Sequence, residues 1–284
     1  MVGILNKKGH IRDKWKKLNL LKCMVWAMIL LLLKNNLEIN KSLISKLSDR
    51  RTGAGCDQLI TIENSNSSEF DANIRIFNPN GDSAEACGNG TRCVAKLLFE
   101  EMNTNYIKLH SIAGILDAEK INENLISVNL GNISNLWKNI PLSKKVDTLN
   151  MPISIDSLSQ GVAVNVGNPH IVFFGENIDS IDLMKFGSQV ENHELFPEKT
   201  NVELVEIINR KNLKMRVWER GVGITLACGS GACASVYASI LKNFTENEVK
   251  VKVAKGSLQV KIKDNKAILI GPAEEIFRGY INIK

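Results

Sequence analysis

The chain has 284 residues, 44% hydrophobic and 23% charged, with six cysteines and a formal net charge of +6. This is enough chain for two domains with full cores, and the composition is that of an ordinary globular protein rather than a disordered or disulfide-built scaffold. The charge is local: eight Lys and Arg against Asp13 place +7 in residues 1–34, so residues 35–284 carry −1 of the total, and no polyanion-binding surface is expected.

Taken in chain order, the first feature is LLKCMVWAMILLLL (20–33), which follows a basic stretch as a signal anchor would. It contains Lys22, is short for a hydrocarbon core of about 30 Å, and shows no small-residue cleavage site before Lys34. No membrane partner is expected. Ile39 to Leu47 and Asp182 to Glu191 read as helices. Short alternating or apolar runs read as strands at 59–63, 74–77, 106–110, 125–130, 162–166, 170–174, 202–208, 213–218, 249–254, 258–262 and 267–270. The class expected is α+β: two pseudo-symmetric domains, each a curved, mostly antiparallel sheet around a central helix.

The pairing of domains comes from comparing the chain with itself. Residues 75–90 read RIFNPNGDSAEACGNG and residues 216–231 read RVWERGVGITLACGSG, 141 residues apart. In each copy a strand leads through a loop to Ala-Cys-Gly-x-Gly, and an apolar run at helical spacing follows. Cys87 and Cys228 therefore sit at helix mouths. The remaining cysteines, Cys23, Cys56, Cys93 and Cys233, are unevenly spaced. The spacings do not match structural zinc, so no metal is expected, and a reducing cytoplasm fits this usage. Cys56, Cys93 and Cys233 read as core.

A helix N-terminus presents unpaired N–H groups and partial positive charge, and glycine lets a carboxylate approach the backbone. Gly88, Asn89, Gly229 and Ser230 thus read as two anion-receiving turns, each carrying a thiol whose pKa the helix should lower from about 8.5. Facing each other, one thiolate could take an α-proton while the opposite thiol delivers one to the other face. That arrangement suits stereoinversion without a cofactor and requires the two sulfurs roughly 7 Å apart.

These turns, with LSDRRTGAGCDQL (47–59), RIFNPNG (75–81), ACGNGTRC (86–93), GNPH (167–170), TNVELV (200–205), WERGVG (218–223) and ACGSGAC (227–233), resemble diaminopimelate epimerase from about Leu47 to the C-terminus. The resemblance implies two similar domains closing over the substrate, a homodimer, no cofactor, and conversion of LL-diaminopimelate to the meso form for lysine and peptidoglycan synthesis. It implies Cys87 and Cys228 as acid/base thiols, with His170 and Glu219 setting their protonation. Gln58, Asn78, Asn168, Asn201 and Arg220 would contact substrate, Arg220 as a bidentate partner of the distal carboxylate. The domain division expected is 35–131 plus 275–284, and 132–274, with 1–34 standing apart. Proline racemase-like proteins, whose turns resemble CGHG and CGTG, an impaired homologue, and a redox sensor using the same thiols are the alternatives.

The family's opening motif, KMHGLGNDF, supplies a substrate-binding asparagine and is absent here. Back-translated from the third base of the Lys22 codon, residues 22–30 give RTG, YAT, GGT, NTG, GGC, NAT, GAT and a triplet that can be TTT. Both glycines and the aspartate are forced, and the rest permit MHGLGNDF. Residues 16–33 therefore read as the normal first strand translated out of frame, with a weakened first half expected of the chain as written.

Overall fold

A computed structural model describes residues 16–25, 28–34, 39–84, 87–155 and 158–283. The fold is two-domain α+β, dominated by strands, seventeen of which form one continuous sheet among the described residues. Among the described residues the α-helices are α1 (Lys41–Ser48), α2 (Gly88–Met102), α3 (Leu183–Glu191) and α4 (Gly229–Leu241). The expected strands form within a residue or two of the expected ends. Gly114–Lys120 and Glu274–Ile283 form strands that were not expected, because their apolar residues are interleaved with charges on an open face.

The two halves repeat strand by strand. In the first, Met28–Lys34 runs parallel to Gln58–Asn64, which pairs antiparallel with Ala72–Phe77. Ala72–Phe77 then takes Ser83–Ala84 antiparallel and Tyr106–Ser111 parallel. In the second, Pro169–Phe174 runs parallel to Asn201–Asn209, which pairs antiparallel with Asn212–Glu219. Asn212–Glu219 takes Gly223–Thr225 antiparallel and Glu248–Val253 parallel. The halves are joined where Lys266–Gly271 pairs with the strand Ile126–Asn132, and Glu274–Ile283 returns to pair with Lys16–Val25.

Helix α4, GSGACASVYASIL, buries nearly its whole surface, which its small residues permit in the second-half core with Val164, Val172, Val217 and Val260. Helix α2 plays the same part in the first half, where Cys93, Val94 and Leu97 pack on Ile60, Ile74 and Val128. Cys56, Cys93 and Cys233 are buried, as expected.

The apolar run read as out of frame builds structure nonetheless. Lys16–Val25 and Met28–Lys34 form an antiparallel pair. Leu30 and Leu32 enter the α2 core, while Leu31 and Leu33 pack with Ile44 and Leu47 of α1 on the other face. A strand covered on both faces accepts four leucines in a row, each contributing about 1.5–3 kcal/mol by burial. Lys22 Nζ donates to Ala54 O at 2.7 Å, and the Ile29 N–H donates to Asp57 Oδ2 at 2.8 Å.

Candidate active site

Cys87 is the N-cap of α2 and Cys228 the N-cap of α4. Each sulfur takes the place of the usual capping oxygen, accepting the N–H of the residue three further on: Gly90 N–H to Cys87 Sγ at 3.2 Å, and Gly231 N–H to Cys228 Sγ at 3.4 Å. The two turns abut. A Cβ built on Gly229 would lie 3.7 Å from Gly88 Cα, and a Cβ on either glycine would meet the same Leu269 methyl at 2.8 Å. Glycine at both positions is what leaves room for the Leu269 side chain against the two turns.

Helix N-termini pull the thiols toward ionisation, but burial wins. Desolvation pushes Cys87 up to about 11, with Glu219 adding to it and the Gly90 N–H and Arg92 opposing it. Cys228, almost fully buried, is likewise raised well above the usual thiol range by desolvation, with Glu219 and Glu203 adding to it. The expected net lowering is therefore corrected. A dipole and one N–H bond are smaller effects than removing water from a thiolate.

The residues expected around the thiols fall into two groups. In the second half, His170 is fully buried, with Nδ1 2.7 Å from Glu203 Oε1 and Nε2 2.9 Å from Asn168 Oδ1. Glu219 accepts from Thr225 Oγ1 at 2.5 Å, its carboxyl raised by burial and held back by Thr225, His170 and Cys228. Asn201 donates to Pro169 O at 2.9 Å and accepts the Arg220 N–H at 2.9 Å, while Arg220 Nη1 donates to Glu198 O at 3.2 Å. Ser230 Oγ lies 3.4 Å from Cys228 Sγ. In the first half, Gln58 Nε2 donates to Asn78 Oδ1 at 3.1 Å, and Gln58 Oε1 is buried with no partner among the described residues.

Glu203 was not among the expected site residues. It is fully buried, its Oε2 has no partner among the described residues, and its Oε1 would stand 2.8 Å from a Cβ at Gly231, in the turn that carries Cys228. The signal lay in TNVELV, where a carboxylate alternates with valine and leucine on a strand otherwise apolar. Among the described residues no three His, Cys, Asp or Glu side chains gather as a metal ion would need, and no helix is long and apolar enough to cross a membrane.

The family model for diaminopimelate epimerase matches residues 29–136 and 162–276. The chain belongs to the diaminopimelate epimerase family. It is 42% identical over 252 residues to the diaminopimelate epimerase of Pelagibacter ubique, covering 87% of this chain and 90% of that one. It is 38% identical over 247 residues to that of Zymomonas mobilis, covering 87% and 89%. Two solved structures share the fold at low identity. A hydroxyproline epimerase from Agrobacterium vitis has a TM-score of 0.71 at 11% identity, covering 94% of this chain and 93% of that one. A phenazine biosynthesis protein from Enterococcus faecalis has a TM-score of 0.65 at 13%, covering 94% and 100%. The chain pairs two capping thiols with the half-buried Glu219, which acts on both, and the buried Glu203, an arrangement able to move a proton across a bound carbon.

Proposed function

We propose that the chain epimerises diaminopimelate from the LL to the meso form, without a cofactor, in lysine and peptidoglycan precursor synthesis. The observation that carries this is the pair of capping thiols on two abutting helix N-termini. The substrate α-carboxylate is received by the turns Gly88-Asn89 and Gly229-Ser230, where N–H groups and both helix dipoles favour an anion. One sulfur, as thiolate, takes the α-hydrogen as a proton. The electron pair left on carbon spreads into the carboxylate, and the opposite thiol gives its proton to the other face. The sulfurs end with their protonation states exchanged and no net oxidation. Because desolvation disfavours both thiolates, ionising one of them needs a proton acceptor. Glu219, within hydrogen-bonding reach of Cys228, is the group suited to take that proton, with His170 beside it. Gln58, Asn78, Asn168, Asn201 and Arg220 contact the substrate, Arg220 at the distal carboxylate. Deuterium wash-in from solvent at the α-carbon of diaminopimelate, and not of proline, tests the reading; exchange into proline alone would replace it.

The domain division proposed is 35–131 plus 275–284, and 132–274, with Lys16–Val25 and Met28–Lys34 packed into the first. A homodimer in the cytoplasm is the assembly proposed, for which Ile276, Phe277 and Tyr280 on the C-terminal strand offer exposed apolar surface.

We also propose that residues 16–33 are the first strand in a shifted frame. The internal repeat supports this. Leu30 is level with Gln58 as His170 is level with Asn201, so Met28 corresponds to Asn168. Asn89 Nδ2 donates to a thioether there, Met28 Sδ at 3.5 Å, and among the described residues Gln58 Oε1, on the neighbouring strand, has no partner. The family match begins at residue 29. The alternate frame permits asparagine in the triplet shared by the Ala27 and Met28 codons. Resequencing the gene across this segment decides the matter. Met28→Asn is expected to raise a weak epimerase rate, and full activity of the chain as written would refute the proposal.

A further inference from the structure

Among the described residues Arg92 is one of the largest fully buried side chains, at 0% exposure, and no carboxylate accompanies it. Its acceptors are three neutral oxygens: Pro272 O at 3.0 Å, Gly88 O at 3.3 Å and Asn89 Oδ1 at 2.7 Å. An unpaired buried cation is expensive to keep, so its retention at such a site calls for a reason. Burial lowers it to about 10, and the groups acting on it are Cys93 and Cys87 around its own helix and Cys233 on α4. In the repeat, Arg92 stands five residues after Cys87, and the equivalent place after Cys228 is Cys233. The charge is therefore present in one half only.

The chemistry of the guanidinium fixes the orientation of Asn89. Arginine donates and cannot accept, so the amide oxygen of Asn89 must face Arg92 and the NH₂ must face away. That NH₂ now meets Met28 Sδ, a weak acceptor that an anion would readily displace. Gly88 O is held by the same guanidinium, so both residues of the first anion-receiving turn are tied to Arg92. Pro272 O lies in the segment that leads into the C-terminal strand, linking the turn to the crossing between the halves.

We propose that Arg92 is a positioning residue of the site, which pins the Asn89 amide with its NH₂ toward the substrate carboxylate and supplies the positive charge behind the turn that carries Cys87. The inference rests on the epimerase reading for its substrate, but its effect on Cys87 does not. Cys87 is faced by Arg92 and Cys93 from its own helix and by Glu219 from the second half. Removing the cation leaves the Glu219 carboxyl acting on it unopposed by Arg92.

Arg92→Met, Arg92→Lys, Asn89→Ala and the double variants are compared in the full chain. Iodoacetamide labelling of Cys87 and Cys228 is followed against pH by peptide mass spectrometry, together with kcat and KM for diaminopimelate. In Arg92→Met the labelling midpoint of Cys87 should move to higher pH by about one unit while that of Cys228 stays. Arg92→Lys should keep the labelling midpoint and still raise KM. Asn89→Ala and Arg92→Met should each raise KM by about tenfold, the worth of one good hydrogen bond, and the double variant no further than the worse single. Labelling unchanged in Arg92→Met, or KM effects that multiply in the double variant, would overturn the proposal. If Arg92→Met does not fold, the same cycle is run with Arg92→Lys, and multiplying effects there overturn it equally. Should the unaltered chain turn over no diaminopimelate, the epimerase reading fails, and the labelling arm still decides whether Arg92 governs Cys87.

Discussion

Gly231→Ala sets two opposing effects against each other at the turn that carries Cys228. Gly231 lies in the first turn of α4, and there alanine normally stabilises a helix by about 1 kcal/mol over glycine. Here the new methyl would stand 2.8 Å from Glu203 Oε1, against ordinary contact from 3.4 Å, so the carboxylate must move by ~0.6 Å. Glu203 and His170 are both fully buried and share a 2.7 Å bond, leaving no solvent to move into. Crowding a packed interior costs about 1–3 kcal/mol, and stretching a charge-assisted hydrogen bond forfeits part of about 1.5–3 kcal/mol. The clash should win by about 1–3 kcal/mol, lowering the thermal midpoint by several degrees at roughly 2–4 °C per kcal/mol. Because the shifted carboxylate lies beside Cys228 and Glu219, the epimerisation rate should fall with it. Circular dichroism melting and the diaminopimelate wash-in assay read the two effects. A Gly231→Ala protein that melts higher and keeps its rate would show that Glu203 does not brace this turn.

Cys87→Ala and Cys228→Ala should each lose about 10²–10⁴-fold in epimerisation, the usual worth of one acid/base group, and a variant keeping a tenth of the rate would exclude a two-thiol reaction. Since burial favours the neutral thiols, the thiolate fraction grows with pH, so kcat/KM should climb from neutral into the alkaline range; a flat profile would contradict this. The same shift affects stability. An unfolded thiol ionises near about 8.5 and folded Cys87 near about 11, so this contribution is full below the first value and lost as pH rises through the second. Melting temperature should decline across that window, and by less in Cys87→Ala. Arg220→Lys, which replaces a planar fork by a point charge, should raise KM for diaminopimelate about tenfold with kcat held; a loss in kcat alone would move Arg220 from distal binding to the reacting centre.

The duplicated Arg-x-Phe/Trp to Ala-Cys-Gly-x-Gly pattern was legible because each half must build the same local object, a strand, a loop and a glycine-opened helix mouth. Cys87 and Cys228 therefore fall as N-caps where the spacing put them. The apolar run at 20–33 was harder to read. Leu30 to Leu33 has neither the alternation of a half-exposed strand nor the length of a span, and its strand character follows from α1 and α2 covering opposite faces. Glu203 and Arg92 were missed for a related reason. Sequence presents each as an ordinary charge, one on a strand and one in a helix, and only three-dimensional packing shows both without solvent.

By itself, the sequence determined which local pieces exist: two glycine-opened turns with a thiol apiece, repeated at half the length of the chain, since turn chemistry and helix capping are decided within a few residues. Tertiary structure decided everything that depends on burial and on contacts between distant segments. It brought Gly88 and Gly229 together, enclosed His170 with Glu203 and left Arg92 among neutral oxygens. It also reversed the expected shift of the thiols, because desolvation is set by how many atoms surround a sulfur, and no local motif encodes that number.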